Sequence, residues 1–219
     1  MICNVIATGS TGNAVVLNRL ILIDAGVPYK LIEPYVKDLR LVLLTHQHGD
    51  HLNLATIRRL HRERPTLRFG CGDWLLRPLL DSGIAAKNID LYDMCRRYDY
   101  GSATVEAFPL IHDVRNCGYK IGINGKSALY ATDTGNLDDV SAPGFDLYMI
   151  EANHQEAELA ERIKRKAEAG EFIYEYRAAA THLSRETADA WLAWNAGPNS
   201  KVVYLHQHIE KGEPNEFLR

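Results

Sequence analysis

Within the stretch Thr45-His46-Gln47-His48-Gly49-Asp50-His51, four side chains able to ligate a metal fall inside six residues: His46, His48, Asp50 and His51. Neutral imidazole nitrogen and carboxylate oxygen both suit zinc and related divalent ions. In an extended His-x-His the two imidazoles project to one side of the backbone. Gly49 permits a sharp turn, which lets Asp50 and His51 face the same space from another direction. The chain has nine histidines in 219 residues, so three of them within six positions argue for a site over a polar loop that happens to hold histidine.

More candidates stand where apolar runs end: His112, Asp133, Glu151, His182 and His206. Sites in layered α/β folds lie beyond the carboxyl ends of strands, so this recurrence reads as one site assembled from many strand ends. One tetrahedral zinc needs three or four protein ligands. The set His46, His48, Asp50, His51, His112, Asp133, His182 and His206 exceeds that number, which predicts two divalent ions about 3.5–4 Å apart sharing a carboxylate. Zinc is the expected ion, with manganese or iron as alternatives, because His/Asp sites accept all three. His154 and His61 read as ordinary polar residues, His61 lying in an arginine-rich helix.

These groups need strands to carry them. The run Leu41-Val42-Leu43-Leu44 is a buried strand feeding the histidine motif, preceded by strands at 1–7, 13–17 and 20–23. Residues 52–62 read as a helix with Leu54, Ile57 and Leu60 inward. A strand at 67–71, a short helix at 74–81 and a brief strand at 89–92 follow, the rest of 87–101 being polar loop. Strands at 104–111, 119–123 and 128–131 come next, the last two joined through Asn124-Gly125, a strong hairpin signal. Further strands at 146–150 and 201–205 flank two helices. One spans 155–169, with Leu159, Ala160, Ile163 and Ala167 on one face. The other spans 185–195, capped by Ser184, with Ala188, Trp191 and Leu192 inward. Residues 171–180 read as irregular or extended. Without a Pro/Gly/Ser-rich linker or a shift in composition, residues 1–219 are expected to form one domain.

Composition excludes little and bounds much. No run approaches the roughly 18 apolar residues that span a bilayer, and the N-terminus lacks the pattern of a signal peptide, so no membrane role is expected. Cys3, Cys71, Cys95 and Cys117 form no Cys-x-x-Cys pair, which fits reduced thiols and a cytoplasmic location. With a net charge of −3, nucleic acid could be bound only through a local patch. Candidates are Arg58, Arg59, Arg62, Arg64 and Arg68, or Lys164-Arg165-Lys166, each of which reads more readily as a solvated face.

The combination of His46-x-His48-x-Asp50-His51, His112, Asp133 in Thr132-Asp133-Thr134-Gly135, and His206 after the last strand resembles the metallo-β-lactamase superfamily of hydrolases. Ile23-Asp24-Ala25-Gly26 resembles its early Asp-x-Gly element, whose aspartate supports the metal loop. The resemblance covers nearly the whole chain and implies a mixed α/β fold, a four-layer αββα sandwich. It implies that His46, His48 and His112 hold one ion, that Asp50, His51 and His206 hold the other, and that Asp133 bridges. His208, two residues beyond His206, is the alternative last ligand.

Within the superfamily, Gly9-Ser10-Thr11-Gly12-Asn13, Ala131-Thr132-Asp133-Thr134-Gly135, Glu151-Ala152-Asn153-His154 and Thr181-His182-Leu183-Ser184 are similar to YycJ-like exonucleases. The tRNA 3′-processing ribonucleases (tRNase Z) share part of this and a histidine in the place of His182. The chain departs from the YycJ-like pattern after its final strand, where His206-Gln207-His208 replaces a His-Leu-Ser element. The resemblance implies a phosphodiesterase or nuclease acting on DNA or RNA, with Asp50, His182 and Glu151 as catalytic candidates and His182 protonating the leaving group. A thioester, lactone or small cyclic phosphate is the alternative substrate, and a non-catalytic protein retaining the fold a third reading.

Overall fold

A computed structural model describes residues 1–206, and the alternative ligand His208 lies outside the described residues. The chain divides into two compact units, with the dividing point between Ala107 and Phe108.

In the first unit, strands β1 (Cys3–Ala7), β2 (Ala14–Leu17), β3 (Ile21–Ile23), β4 (Leu41–Leu44), β5 (Arg68–Cys71) and β6 (Ile89–Leu91) form a six-stranded sheet in chain order. The pairs β1–β2 and β2–β3 are antiparallel, and the rest are parallel. Every residue of β2, β3 and β4 is buried, in keeping with their unbroken apolar runs. Helices α1 (Tyr29–Ile32), α2 (Leu54–Glu63) and α3 (Leu76–Asp81) complete this unit. Asn53 starts α2 by accepting the N–H groups of Ala55 and Thr56, both at 3.1 Å. Ile57 and Leu60 join the core beside Val42, Leu44 and Phe69. Leu54, expected inward, is exposed. Thr56 is buried in its stead because its hydroxyl finds the Val27 carbonyl at 2.7 Å.

The polar stretch 87–101 contains a second short strand, β7 (Arg97–Asp99), paired with β8 (Ala103–Leu110), the strand in which the dividing point falls. A polar edge strand has no apolar periodicity by which to be seen. The second sheet has the order β12-β11-β10-β9-β8-β7, with β9 (Asn116–Ile123), β10 (Lys126–Ala131), β11 (Leu147–Glu151) and β12 (Lys201–Leu205). The β9–β10 hairpin turns through Asn124 and Gly125, both at positive φ, as a two-residue primed turn requires. Strands β10, β11 and β12 run parallel and in register, so Ala131, Glu151 and Leu205 end at one edge. That edge delivers the unit's polar cluster.

Helices α4 (Glu156–Ala169), α5 (Glu175–Thr181) and α6 (Arg185–Asn195) belong to the second unit. Helix α5 corrects the irregular reading of 171–180. Ala178, Ala179 and Ala180 are strong helix formers, masked in the sequence by the aromatic residues just before them. Ser184 caps α6, its hydroxyl accepting from the Thr187 amide at 3.0 Å. Ala188 and Leu192 pack with Leu129, Tyr148 and Ile150. Trp191 lies half-buried against that core, its indole N–H on the Val140 carbonyl at 3.0 Å. No helix among the described residues is long and apolar enough to cross a membrane. All four cysteines are free thiols.

Candidate metal centre

Strand β4 hands directly into the histidine motif, and residues behind it fix the rings of His46 and His51. Asp24, fully buried at φ +55° beyond β3, is the anchor. Its amide donates to the Leu43 carbonyl at 2.8 Å. Its carboxylate accepts the Thr45 amide at 2.9 Å, the Thr45 hydroxyl at 3.0 Å and His51 Nδ1–H at 2.7 Å. Because the Thr45 hydroxyl donates to Asp24, it accepts from His46 Nδ1–H at 2.9 Å. These partners select one tautomer for both rings and leave the lone pair on Nε2, the nitrogen a metal would use.

His46 Nε2 lies 3.1 Å from His48 Nδ1. Two nitrogens at that separation subtend about 100° at an ion ~2.05 Å from each, close to the tetrahedral angle. The donor set therefore fits a divalent metal. Asn13 closes the motif from the other side. Its backbone amide donates to the Asp50 carbonyl at 2.6 Å, and its side-chain amide reaches His51 Nε2 at 2.8 Å. Gly26 is required here, since a Cβ on it would stand 1.7 Å from the Asp50 carbonyl oxygen.

The second unit builds its cluster from dispersed strand ends and from His182, which was expected after a strand but follows helix α5. Asp133 follows β10 at φ +58° and is buried. The Asn116 side-chain amide holds this turn by donating to the carbonyls of Thr132 at 3.1 Å and Asp133 at 2.7 Å. His112 follows β8 and donates Nδ1–H to the Thr181 carbonyl at 3.2 Å, which turns Nε2 toward Asp133 Oδ2 at 3.7 Å. His206 follows β12 at φ +51°, and its Nδ1 lies against the Asp133 carboxylate and 3.2 Å from Glu151 Oε1. Non-glycine residues in this backbone region are uncommon and gather at functional sites. Asp24, Asp133 and His206 all adopt it.

Glu151 is the hub of this cluster. Fully buried at the end of β11, it accepts the Thr134 amide at 3.0 Å, the Leu183 amide at 3.3 Å and His182 Nδ1–H at 2.5 Å. Burial alone would raise the carboxyl pKa, but hydrogen bonds from His182 and His206 outweigh it and hold the group below its ordinary range. Burial likewise opposes charge on His206, yet the Asp133 and Glu151 carboxylates push its pKa up to about 10 in the metal-free chain. In this unit Asp133, Glu151, His182 and His206 can offer ligand atoms within 4.8 Å of one another. Gly135 lets the following turn approach α5, where an added Cβ would meet the Ala180 carbonyl at 2.6 Å.

The family model for the "Beta-lactamase superfamily domain" matches residues 19–207. The chain belongs to the metallo-β-lactamase superfamily. Exodeoxyribonuclease WalJ of Streptococcus pneumoniae is 25% identical over 223 aligned residues, taking in 95% of this chain and 81% of WalJ. Exodeoxyribonuclease YycJ of Bacillus anthracis is 26% identical over 165 residues, 69% of this chain and 62% of that protein. Among solved structures, the metallo-β-lactamase fold protein YhfI of Bacillus subtilis aligns with a TM-score of 0.71 at 16% identity, covering 94% of this chain and 85% of YhfI. This superfamily member is a metal-dependent hydrolase of the YycJ-like branch, with the mixed α/β fold of two sheets and flanking helices.

Asn116, which holds the Asp133 turn, carries no signal of its own in the sequence. Thr45 and Asn13 lie in stretches the sequence singles out, but their contacts with His46 and His51 appear only in the fold. The arginines of the supposed basic patch are mostly occupied. Arg58 donates to the Ser82 carbonyl, Arg59 pairs with Glu63, Arg64 clamps the Val36 and Leu39 carbonyls, and Arg68 pairs with Asp90. Arg58, Arg64 and Arg68 thereby tie separate segments together, while the Arg59–Glu63 pair lies within α2. Lys166 pairs with Glu175 at 2.8 Å. His61 packs edge-on near Phe69, with ring centroids 6.2 Å apart.

Proposed function

We propose that this chain is a two-metal phosphodiesterase that cleaves nucleic acid, its two units working as one hydrolase domain. On this reading His46, His48 and His112 hold one divalent ion and Asp50, His51 and His206 the other, with Asp133 bridging. Zinc is the expected occupant, with manganese and iron as alternatives. The observation that carries the reading is the contact of Glu151 Oε1 with His182 Nδ1 at 2.5 Å, beside Asp133 and His206. It pairs metal ligands with a proton-handling imidazole, as hydrolysis of a phosphodiester needs.

Bound in this set, two divalent ions supply Lewis acidity, acidifying water and drawing charge from phosphoryl oxygens. The rest is the work of the protein. Glu151 keeps the proton on His182 Nδ1, so Nε2 is the position that exchanges protons with the substrate. As a water oxygen bonds to phosphorus and the ester P–O bond breaks, His182 in its imidazolium form passes its Nε2 proton to the leaving oxygen. Glu151 is the positioning residue. The exodeoxyribonuclease names of WalJ and YycJ favour DNA as the polymer. Free thiols at all four cysteines fit a reducing cytoplasm as the place of work.

The test sets the zinc-, manganese- or iron-loaded protein against a labelled oligodeoxynucleotide and a thioester side by side. Cleavage of the phosphodiester, lost in Asp50→Ala, is the expected result. Faster thioester turnover, or near-normal activity of Asp50→Ala, overturns the proposal.

A further inference from the structure

The second unit holds a pocket of about 310 Å³ whose lining includes His182 and Gly135. One wall is apolar, made by Leu159, Ala160 and Ile163 of α4 with Ala179 of α5. The sequence sets Leu159, Ala160, Ile163 and Ala167 as an inward stripe, yet only Leu159 is buried. Leu159, Ala160 and Ile163 of that face therefore front a cleft. The polar groups in the lining are His154, Ser184 and Thr187 together with Glu156, which stands on the same face of α4 one turn before Leu159 and Ala160.

The volume sits at the low end of the ~300–1,000 Å³ of small-molecule sites, room for one compact group. The polar groups define its chemistry. Glu156 Oε1 accepts from the Ser184 hydroxyl at 2.9 Å, and the Glu156 amide donates to Glu186 Oε2 at 3.2 Å, so two carboxylates stand at the start of α4. An anion is disfavoured there. A neutral flat ring with N–H donors is favoured, because it buries its faces on the apolar wall and offers its donors to Glu156. His154, nearly buried, adds an imidazole whose pKa is lowered by burial, a neutral ring able to stack and to hydrogen-bond.

We infer that this pocket receives one nucleobase next to the scissile phosphate, with Glu156 accepting the exocyclic N–H that cytosine, adenine and guanine carry and thymine lacks. The inference rests on the nuclease reading, because His182, the proton donor to the leaving oxygen, lines the same pocket.

Two measurements test it. The first compares the metal-loaded protein on oligodeoxynucleotides differing only by cytosine or thymine at the cleaved end, and on methyl p-nitrophenyl phosphate, a diester with no base. Ala160→Trp, at an exposed position of α4, should lower kcat/KM on the oligonucleotides about tenfold more than on the base-free diester, chiefly through KM. Glu156→Gln should erase the preference for cytosine over thymine. Equal losses on both substrates, or an unchanged preference, overturn the inference.

The second titrates deoxycytidine and thymidine into the metal-free protein and follows the imidazole NMR signals of His154. Deoxycytidine should shift them more than thymidine, and the shift should vanish in Ala160→Trp. Absence of any shift overturns the pocket assignment. Cleavage of none of the diesters by the unaltered protein overturns the nuclease reading separately, since the titration reports on the pocket without turnover.

Discussion

The two units solve one problem, holding imidazoles and carboxylates in fixed orientation, in opposite ways. The first places His46, His48, Asp50 and His51 on a single turn after β4, and a single buried carboxylate, Asp24, fixes the rings by direct contact with His51 and through Thr45 to His46. The second takes His112, Asp133, His182 and His206 from four separate segments, and Glu151 gathers His182, His206 and the Thr134 and Leu183 amides. Contiguity makes the first cluster cheap to build, because neighbouring residues reach a common point through local turns. The dispersed cluster depends on parallel register across β10, β11 and β12. In both, a buried acid, Asp24 in one and Glu151 in the other, fixes imidazoles that can offer a nitrogen to a metal.

The comparison can be broken first at the ligands. Asp50→Ala in one unit and Asp133→Ala in the other should each lower kcat by roughly a thousandfold or more, with metal content falling from about two ions per chain, read by native mass spectrometry. A variant that keeps its full metal complement would show that its unit is not a half-site. Next comes the hub. Glu151→Gln should lower kcat by about 10²–10³ and remove the limb of the pH–rate profile that reports His182. Retention of that limb would deny Glu151 its positioning role.

Asp24→Asn should act more weakly, reducing metal affinity about 10–100-fold in a chelator competition. An effect equal to that of Asp50→Ala would make Asp24 a ligand in its own right.

The smallest effect is in pH-dependent stability of the metal-free protein. Glu151 has a depressed folded pKa, so its contribution is present above its ordinary value of 4.5 and lost as pH falls through the lowered one. His206 is raised from 6.5 to about 10, so its contribution is full below 6.5 and lost as pH rises through about 10. Melting temperatures of the metal-free chain should therefore be flat between about pH 4.5 and 6.5 and decline toward pH 10. Metal loading, which needs a neutral imidazole at His206, should flatten the alkaline decline.

Much of this was readable along the chain. The apolar run of β4 ending in His46 marks a rigid edge carrying side chains able to ligate, and the Asn124-Gly125 turn fixes the β9–β10 hairpin. Ser184 announces the start of α6. Other features were hidden for physical reasons. Helix α5 has too few apolar residues to show a stripe, and β7 is a polar edge strand. The arginines after the motif look like a nucleic-acid patch by composition, but backbone carbonyls and acids from other segments engage most of them.

The sequence by itself determined the donors: which residues can ligate, that most of them follow strands (His182, expected after a strand, follows helix α5), and that the set is large enough for two ions. Only the tertiary structure decided how those donors are turned. The tautomer and aim of His51 depend on Asp24, 27 residues away, and those of His182 on Glu151, 31 residues away. Periodicity and spacing report local backbone geometry and burial. The direction of a ring nitrogen is set by a hydrogen bond between distant residues, and that exists only after the chain has folded.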